Sequence, residues 1–339
     1  MVSPRILCTA TIALGACANA SSFANVAQNA RVAGGQPADD QEFSFVANIA
    51  SVDPVFTGKN CTGALISDRL VMTTANCLMT GNYTWFNPDL VSVSFGKRGA
   101  NVYKVHQTLI SDSYERQTFT HNIGLIILAS PVPESVATPV RIFADNLTTS
   151  SHVFAVGYGQ TGRSSSLYPA RAQIAPLSIM DQQNCSAYSG FDADTQLCVE
   201  GRSGSDLCLG DEGAPLVVSN SAEHSVALLG VASYVTETAE NTVVACGDGG
   251  LAYFEMSRSW AGWVSKVAHV TYNDIIISLN ITTDSDHKGS SIAYSDVADN
   301  SSEGAMEGPL SASEPTSGVD RVVPAVSMLL FVAAFAMEL

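Results

Sequence analysis

The sequence predicts an all-β fold, a barrel or a sandwich of short strands. Two observations carry that expectation. Short apolar runs recur along the chain, each bounded by Gly, Pro or Ser, as expected for closely spaced strands joined by turns. Helical periodicity is confined to one segment, where Trp260, Trp263, Val264 and Val267 recur at helical spacing.

In chain order, Arg5 precedes an apolar stretch over residues 6–16 and small residues around Ala18-Asn19-Ala20. This is the layout of a secretory leader, residues 1–20. Leu14-Gly15-Ala16-Cys17 also resembles a bacterial lipoprotein cleavage box. Residues 21–31 form a short pro-like segment. Strand candidates follow at Val91-Ser92-Val93-Ser94-Phe95, residues 123–128, residues 153–156, Leu216-Val217-Val218 and residues 226–231, and the helix closes this region near residue 267. Residues 268–321 then hold nine Asp and Glu against two Lys and Arg. Within them, residues 284–320 are too poor in large apolar side chains to order themselves, so a solvated stalk is expected. The final segment, residues 322–339, is mostly apolar but shorter than the roughly 20 residues a membrane-spanning helix needs. Ser311-Ala312-Ser313, a polar spacer and this tail match the layout of a glycosylphosphatidylinositol (GPI) attachment signal, with a short membrane anchor or a packed terminal helix as alternatives.

Composition narrows the function classes. The 339 residues are 46% hydrophobic, enough for a substantial core, and carry a formal net charge of −16. That balance opposes nucleic-acid binding, which needs a basic surface. Of eight cysteines, Cys8 and Cys17 lie in the leader. The remaining six, in an oxidising compartment, favour three disulfides among fifteen pairings. Asn-x-Ser/Thr acceptors for glycosylation occur at Asn82, Asn146, Asn280 and Asn300, and also at Asn60 and Asn184 beside cysteines.

The motifs resolve the choice of fold. Leu207-Cys208-Leu209-Gly210-Asp211-Glu212-Gly213-Ala214-Pro215 has the frame of a serine-protease nucleophile loop, with glutamate at the serine position. Thr73-Thr74-Ala75-Asn76-Cys77 resembles a T-A-A-H-C motif, and Asn122-Ile123-Gly124-Leu125-Ile126 a D-I-A-L-I strand start. Asn76, Asn122 and Glu212 are 46 and 90 residues apart, against about 45 and about 93 between His, Asp and Ser in trypsin-like enzymes. Arg31-Val32-Ala33-Gly34-Gly35, Cys61-Thr62-Gly63-Ala64-Leu65-Ile66, Val156-Gly157-Tyr158-Gly159, Ser233-Tyr234-Val235 and Trp263 match further motifs of the same order. Residues 32–267 thus resemble the chymotrypsin/trypsin family. The resemblance implies two six-stranded β-barrels with a C-terminal helix, and disulfides Cys61–Cys77, Cys185–Cys198 and Cys208–Cys246. It also implies a specificity pocket with Asp206 as its floor and Ser233 and Val235 on its wall. Gly210 and Glu212 would supply the oxyanion-hole amides, and cleavage at Arg31–Val32 would give a new amino terminus to pair with Asp211. No cofactor and no metal ion are implied.

All three triad positions, however, have lost their chemistry. Asn76 cannot act as a base, and Glu212 offers no hydroxyl nucleophile. His121 is the nearest histidine in sequence, yet it falls in a strand-edge slot, as a surface or half-buried ring. Altered triad positions in a trypsin-like domain with a short leader and no accessory domain resemble the glucanase inhibitor proteins of oomycete plant pathogens. That resemblance implies an inactive extracellular protein that binds host endo-β-1,3-glucanase. Two alternatives stay open: a lipid-anchored surface adhesion or scaffold protein, and an active hydrolase using other groups.

Overall fold

The structure, a computed structural model, describes residues 35–279 apart from 53–57, 82–83, 146–151, 163–166, 189, 202–205, 221–224, 237–242, 245 and 247–249. The leader, the pro-like segment and everything from residue 280 onward therefore lie outside the described residues. So do Arg31, Val32 and the four glycosylation candidates Asn82, Asn146, Asn280 and Asn300.

Twelve strands build two barrels. The first contains β1 (Val46–Ser51), β2 (Lys59–Ser67), β3 (Leu70–Thr73), β4 (Val91–Phe95), β5 (Val102–Ile110) and β6 (Gly124–Leu128). The second contains β7 (His152–Gly157), β8 (Gln173–Ile179), β9 (Gln196–Gly201), β10 (Pro215–Asn220), β11 (Ser225–Thr236) and β12 (Leu251–Met256). Around the first ring the order is β1-β2-β3-β6-β5-β4, closed by β4 against β1. Around the second it is β7-β8-β9-β12-β11-β10, closed by β10 against β7. The two halves therefore share one topology, a repeat not evident in the sequence motifs.

Closure leaves no open sheet edge in either ring, and the inward side chains of each strand meet in a filled interior. Ile49, Leu65, Phe95 and Ile126 are buried in the first half. Val153, Leu177, Val199, Leu216 and Phe254 belong to one buried cluster in the second. Helix α1 (Ser257–Ala268) buries Trp260, Ala261 and Val264 on one face and ends at His269, whose φ of 55° gives the left-handed stop. The ordered fold continues past this helix. Ile276–Ile277 pairs in parallel with Ile142–Phe143, and Leu279 is buried. Leu279 belongs to the buried cluster of the second half, and Ile277 packs against it.

The three bridges Cys61–Cys77, Cys185–Cys198 and Cys208–Cys246 are formed. The first links β2 to the short 3-10 turn Ala75–Leu78 across 16 residues. Its loss should cost about 3 kcal/mol through the freed unfolded chain. Urea unfolding of a Cys61→Ala/Cys77→Ala double variant measures this, with the midpoint shifted down and the slope little changed.

Candidate functional site

The cleft lies where residues 206–213 of the second half meet β2 and the 3-10 turn of the first. Thr62 on β2 joins them. Its N–H donates to the Glu212 carbonyl at 2.9 Å, its hydroxyl donates to the Gly210 carbonyl at 2.9 Å, and that hydroxyl accepts the Tyr158 N–H at 3.1 Å.

The three degenerate positions come together here. The Asn76 N–H donates to Asn122 Oδ1 at 3.0 Å, and Asn76 Oδ1 accepts from the Thr74 hydroxyl at 2.6 Å and from Asn122 Nδ2 at 3.4 Å. Asn122 is fully buried and donates to the Ser233 hydroxyl at 2.9 Å. Asn76, Glu212, Ser233, Tyr234 and Val235 line one cavity of about 90 Å³. Glu212 turns back on its own loop, and its Oε2 accepts the Gly210 N–H at 2.7 Å. The donor that would face a developing oxyanion is therefore bound to a carboxylate.

Ser233 and Val235 stand on the wall as the motif implies. Asp206 is buried, but it is not among the residues that line the cavity, and its Oδ1 accepts the Leu207 N–H at 2.9 Å. His121 pairs with Asp192 at 3.3 Å and packs edge-on against Trp260. It lines neither this cavity nor the groove next to it.

Asp211 occupies a site built around its carboxylate. Oδ1 accepts the Gly159 N–H at 2.8 Å and Oδ2 the Cys208 N–H at 3.0 Å. A Cβ at Gly157 or Gly159 would overlap this carboxylate, which explains both glycines of the Gly157-Tyr158-Gly159 segment. Arg98 lies close by, donating to the Tyr158 carbonyl at 2.5 Å and to Asn60 Oδ1 at 3.3 Å. Burial pushes the Asp211 carboxyl up to about 7, while the two amide donors and the Arg98 charge act in the opposite direction.

Sequence reasoning missed a second buried acid, Glu255 on β12. It accepts from the Asn122 N–H at 3.0 Å, from Gln196 Nε2 at 2.8 Å and from the Trp260 indole N–H at 3.0 Å. Burial also pushes this carboxyl up to about 7, against those three donors. Its signal was a lone carboxylate in the apolar run Leu251-Ala252-Tyr253-Phe254-Glu255-Met256. Lys59, at the start of β2, was missed as well. Its ammonium donates to the Asn76 carbonyl at 2.6 Å, and burial lowers its pKa while Glu212 raises it.

Two closed barrels with the cleft at their junction define the double-barrel frame of serine peptidases, here with Asn76, Asn122 and Glu212 gathered in the cleft. A family model described as Trypsin matches residues 32–247, more than half of the chain, and the chain belongs to that family. It is 28% identical over 224 residues to Transmembrane protease serine 11G of Rattus norvegicus, covering 60% of this chain and 49% of that protein. It is 26% identical over 210 residues to Chymotrypsin-2 of Vespa crabro, covering 61% of this chain and 89% of that protein. To Trypsin delta of Drosophila erecta it is 26% identical over 163 residues, 47% of this chain and 64% of that one. The chain thus spans about half the length of the transmembrane protease it matches.

Asp211 and Glu255 both bind their protons more tightly when folded than their ordinary values of 3.8 and 4.5 allow. The stability they contribute is complete below about pH 4 and is lost as pH rises toward about 7, at up to about 1.4 kcal/mol per pH unit for each group. Urea unfolding should find the domain more stable at pH 5 than at pH 8. Asp211→Asn and Glu255→Gln should each remove a large part of that difference.

Proposed function

We propose that this trypsin-family chain is catalytically inactive, is secreted, and acts by binding another protein. One observation carries the reading: the Glu212 carboxylate stands at the nucleophile position and accepts the Gly210 N–H at 2.7 Å. Acyl transfer needs a hydroxyl nucleophile, a base for its proton and free oxyanion donors. Here the first position is a carboxylate, the second an amide, and the third is filled from within. Three disulfides fit an oxidising compartment and agree with the expected leader.

The partner class follows from the resemblance to glucanase inhibitor proteins, with host endo-β-1,3-glucanase as the proposed target. The rim of the cleft is loop-built, and specific complexes bury about 800 Å² on each partner. A net charge of −16 favours a basic partner through long-range steering, so the association rate should fall as salt rises.

The purified protein should cleave no Arg or Lys peptide substrate, before or after cutting at Arg31. Turnover at an ordinary protease rate that is abolished in Glu212→Ala would overturn the reading. An Asn76→His/Asn122→Asp/Glu212→Ser variant is the minimum needed to regain activity, although Val235 still narrows the pocket. In a glucanase assay, micromolar protein should slow the release of oligosaccharides, and a reduced and alkylated sample should not. Unchanged hydrolysis across several plant glucanases removes the inhibitor role.

A further inference from the structure

Beside the cavity at Glu212, and sharing Asn76 and Phe119 with it, runs a larger groove of about 560 Å³. Its lining is unusual for so acidic a chain. The protein has 32 Asp and Glu against 16 Lys and Arg, yet this groove is lined by Lys59 and Arg116 and by no carboxylate among the described residues. A third cation backs the wall: Arg98 donates to Asn60 Oδ1 at 3.3 Å and lies over the Tyr168 ring at 5.0 Å. Phe86, Phe119, Tyr168 and Leu209 also line the groove, the last 40% exposed.

We propose that this groove docks an acidic peptide segment of the partner, one whose carboxylates alternate with apolar side chains. The proposal rests on the protein-binding reading above and names the part of the partner that enters the cleft. Lys59 is half-buried, and its ammonium is tethered to the Asn76 carbonyl at 2.6 Å. A tethered, partly desolvated ammonium gains more from a carboxylate than a fully hydrated one, because less water must be removed and less side-chain freedom is lost. Two cations that share a groove with aromatic and aliphatic groups suit a segment carrying both carboxylates and apolar residues. A densely charged polyanion, by contrast, would be repelled by the net charge of −16. The long-range and local fields then have different roles: the whole molecule attracts a basic protein, and the groove takes an acidic loop from it.

The test uses the full secreted chain and a fluorescein-labelled peptide, Leu-Glu-Phe-Glu-Leu-Glu-Ala, followed by anisotropy. The peptide should bind at least about tenfold more tightly than its Gln-for-Glu analogue, and more weakly as salt rises. Lys59→Met and Arg116→Gln should each weaken binding by about tenfold, while Lys266→Gln on α1 leaves it unchanged. Arg116 is exposed, so its variant keeps the test decisive if Lys59→Met fails to fold. Equal affinity for the Glu and Gln peptides, or no effect of Arg116→Gln, overturns the proposal. So does a heparin oligosaccharide that binds as tightly with the same residue dependence, which would make the groove a site for anionic polysaccharide. Glucanase inhibition by the Lys59→Met/Arg116→Gln variant separates the two readings. Inhibition that persists without peptide binding sinks the groove and keeps the partner, whereas peptide binding without any inhibition by the parent protein keeps the groove and sinks the partner.

Discussion

The cleft depends on how the backbone of residues 206–213 is hydrogen-bonded where it passes between the barrels. Thr62 supplies two of those bonds, to the carbonyls of Gly210 and Glu212, and its hydroxyl also accepts the N–H of Tyr158. Its own carbonyl accepts from the Thr73 hydroxyl at 2.8 Å. Thr62, Thr73, Tyr158 and Gly210 are buried, and an orphaned buried donor or acceptor costs about 1–3 kcal/mol. One threonine on the first barrel therefore fixes the loop of the second, and with it the positions of Gly210, Asp211 and Glu212. The neighbouring Gly213, at a φ of 80°, lies against the Thr62 carbonyl and the Thr73 side chain, where a Cβ would clash.

That frame holds Asn76 and Glu212 at one cavity, with Asn122 bonded to Asn76. The Glu212 carboxylate accepts the Gly210 N–H, so the loop satisfies that donor itself. The Asn76 and Asn122 side chains behave alike. Their amides bond to each other and to Thr74 and Ser233, which makes a closed network out of positions that would otherwise pass a proton.

Several elements were legible before any coordinates. Strands β4, β6, β7, β10 and β11 fall on apolar runs visible in the sequence, and α1 falls where Trp260 and Val264 repeat at helical spacing. The cysteine pairs and the meeting of Asn76, Asn122 and Glu212 came from motif resemblance rather than periodicity. Other features were out of reach. Lys59 reaches the Asn76 carbonyl 17 residues away, and Glu255 gathers donors from Asn122, Gln196 and Trp260. Lys59 leaves no local pattern, and the lone carboxylate of Glu255 in its apolar run does not reveal its partners, which lie just ahead of β6, on β9 and on α1. Asp206 shows that motif position and side-chain placement are separate facts. Its motif position was clear, but a side chain's facing depends on backbone geometry, and here it engages the adjacent N–H and does not line the cavity.

By itself, the sequence determined the chemistry that the cleft lacks. Whether a residue carries a hydroxyl, an imidazole or an amide is a covalent fact, and order and spacing were enough to align the three positions. It also determined the strand-rich class, since apolar runs between turn residues need no knowledge of what they pack against. The tertiary structure decided where charge is placed. It put the Glu212 carboxylate on the Gly210 amide, buried Asp211 and Glu255 among backbone and indole donors, and gathered Lys59 and Arg116 into one groove of an acidic protein. Electrostatic environment is set by distance and burial, and both arise only when segments far apart in the chain are folded together.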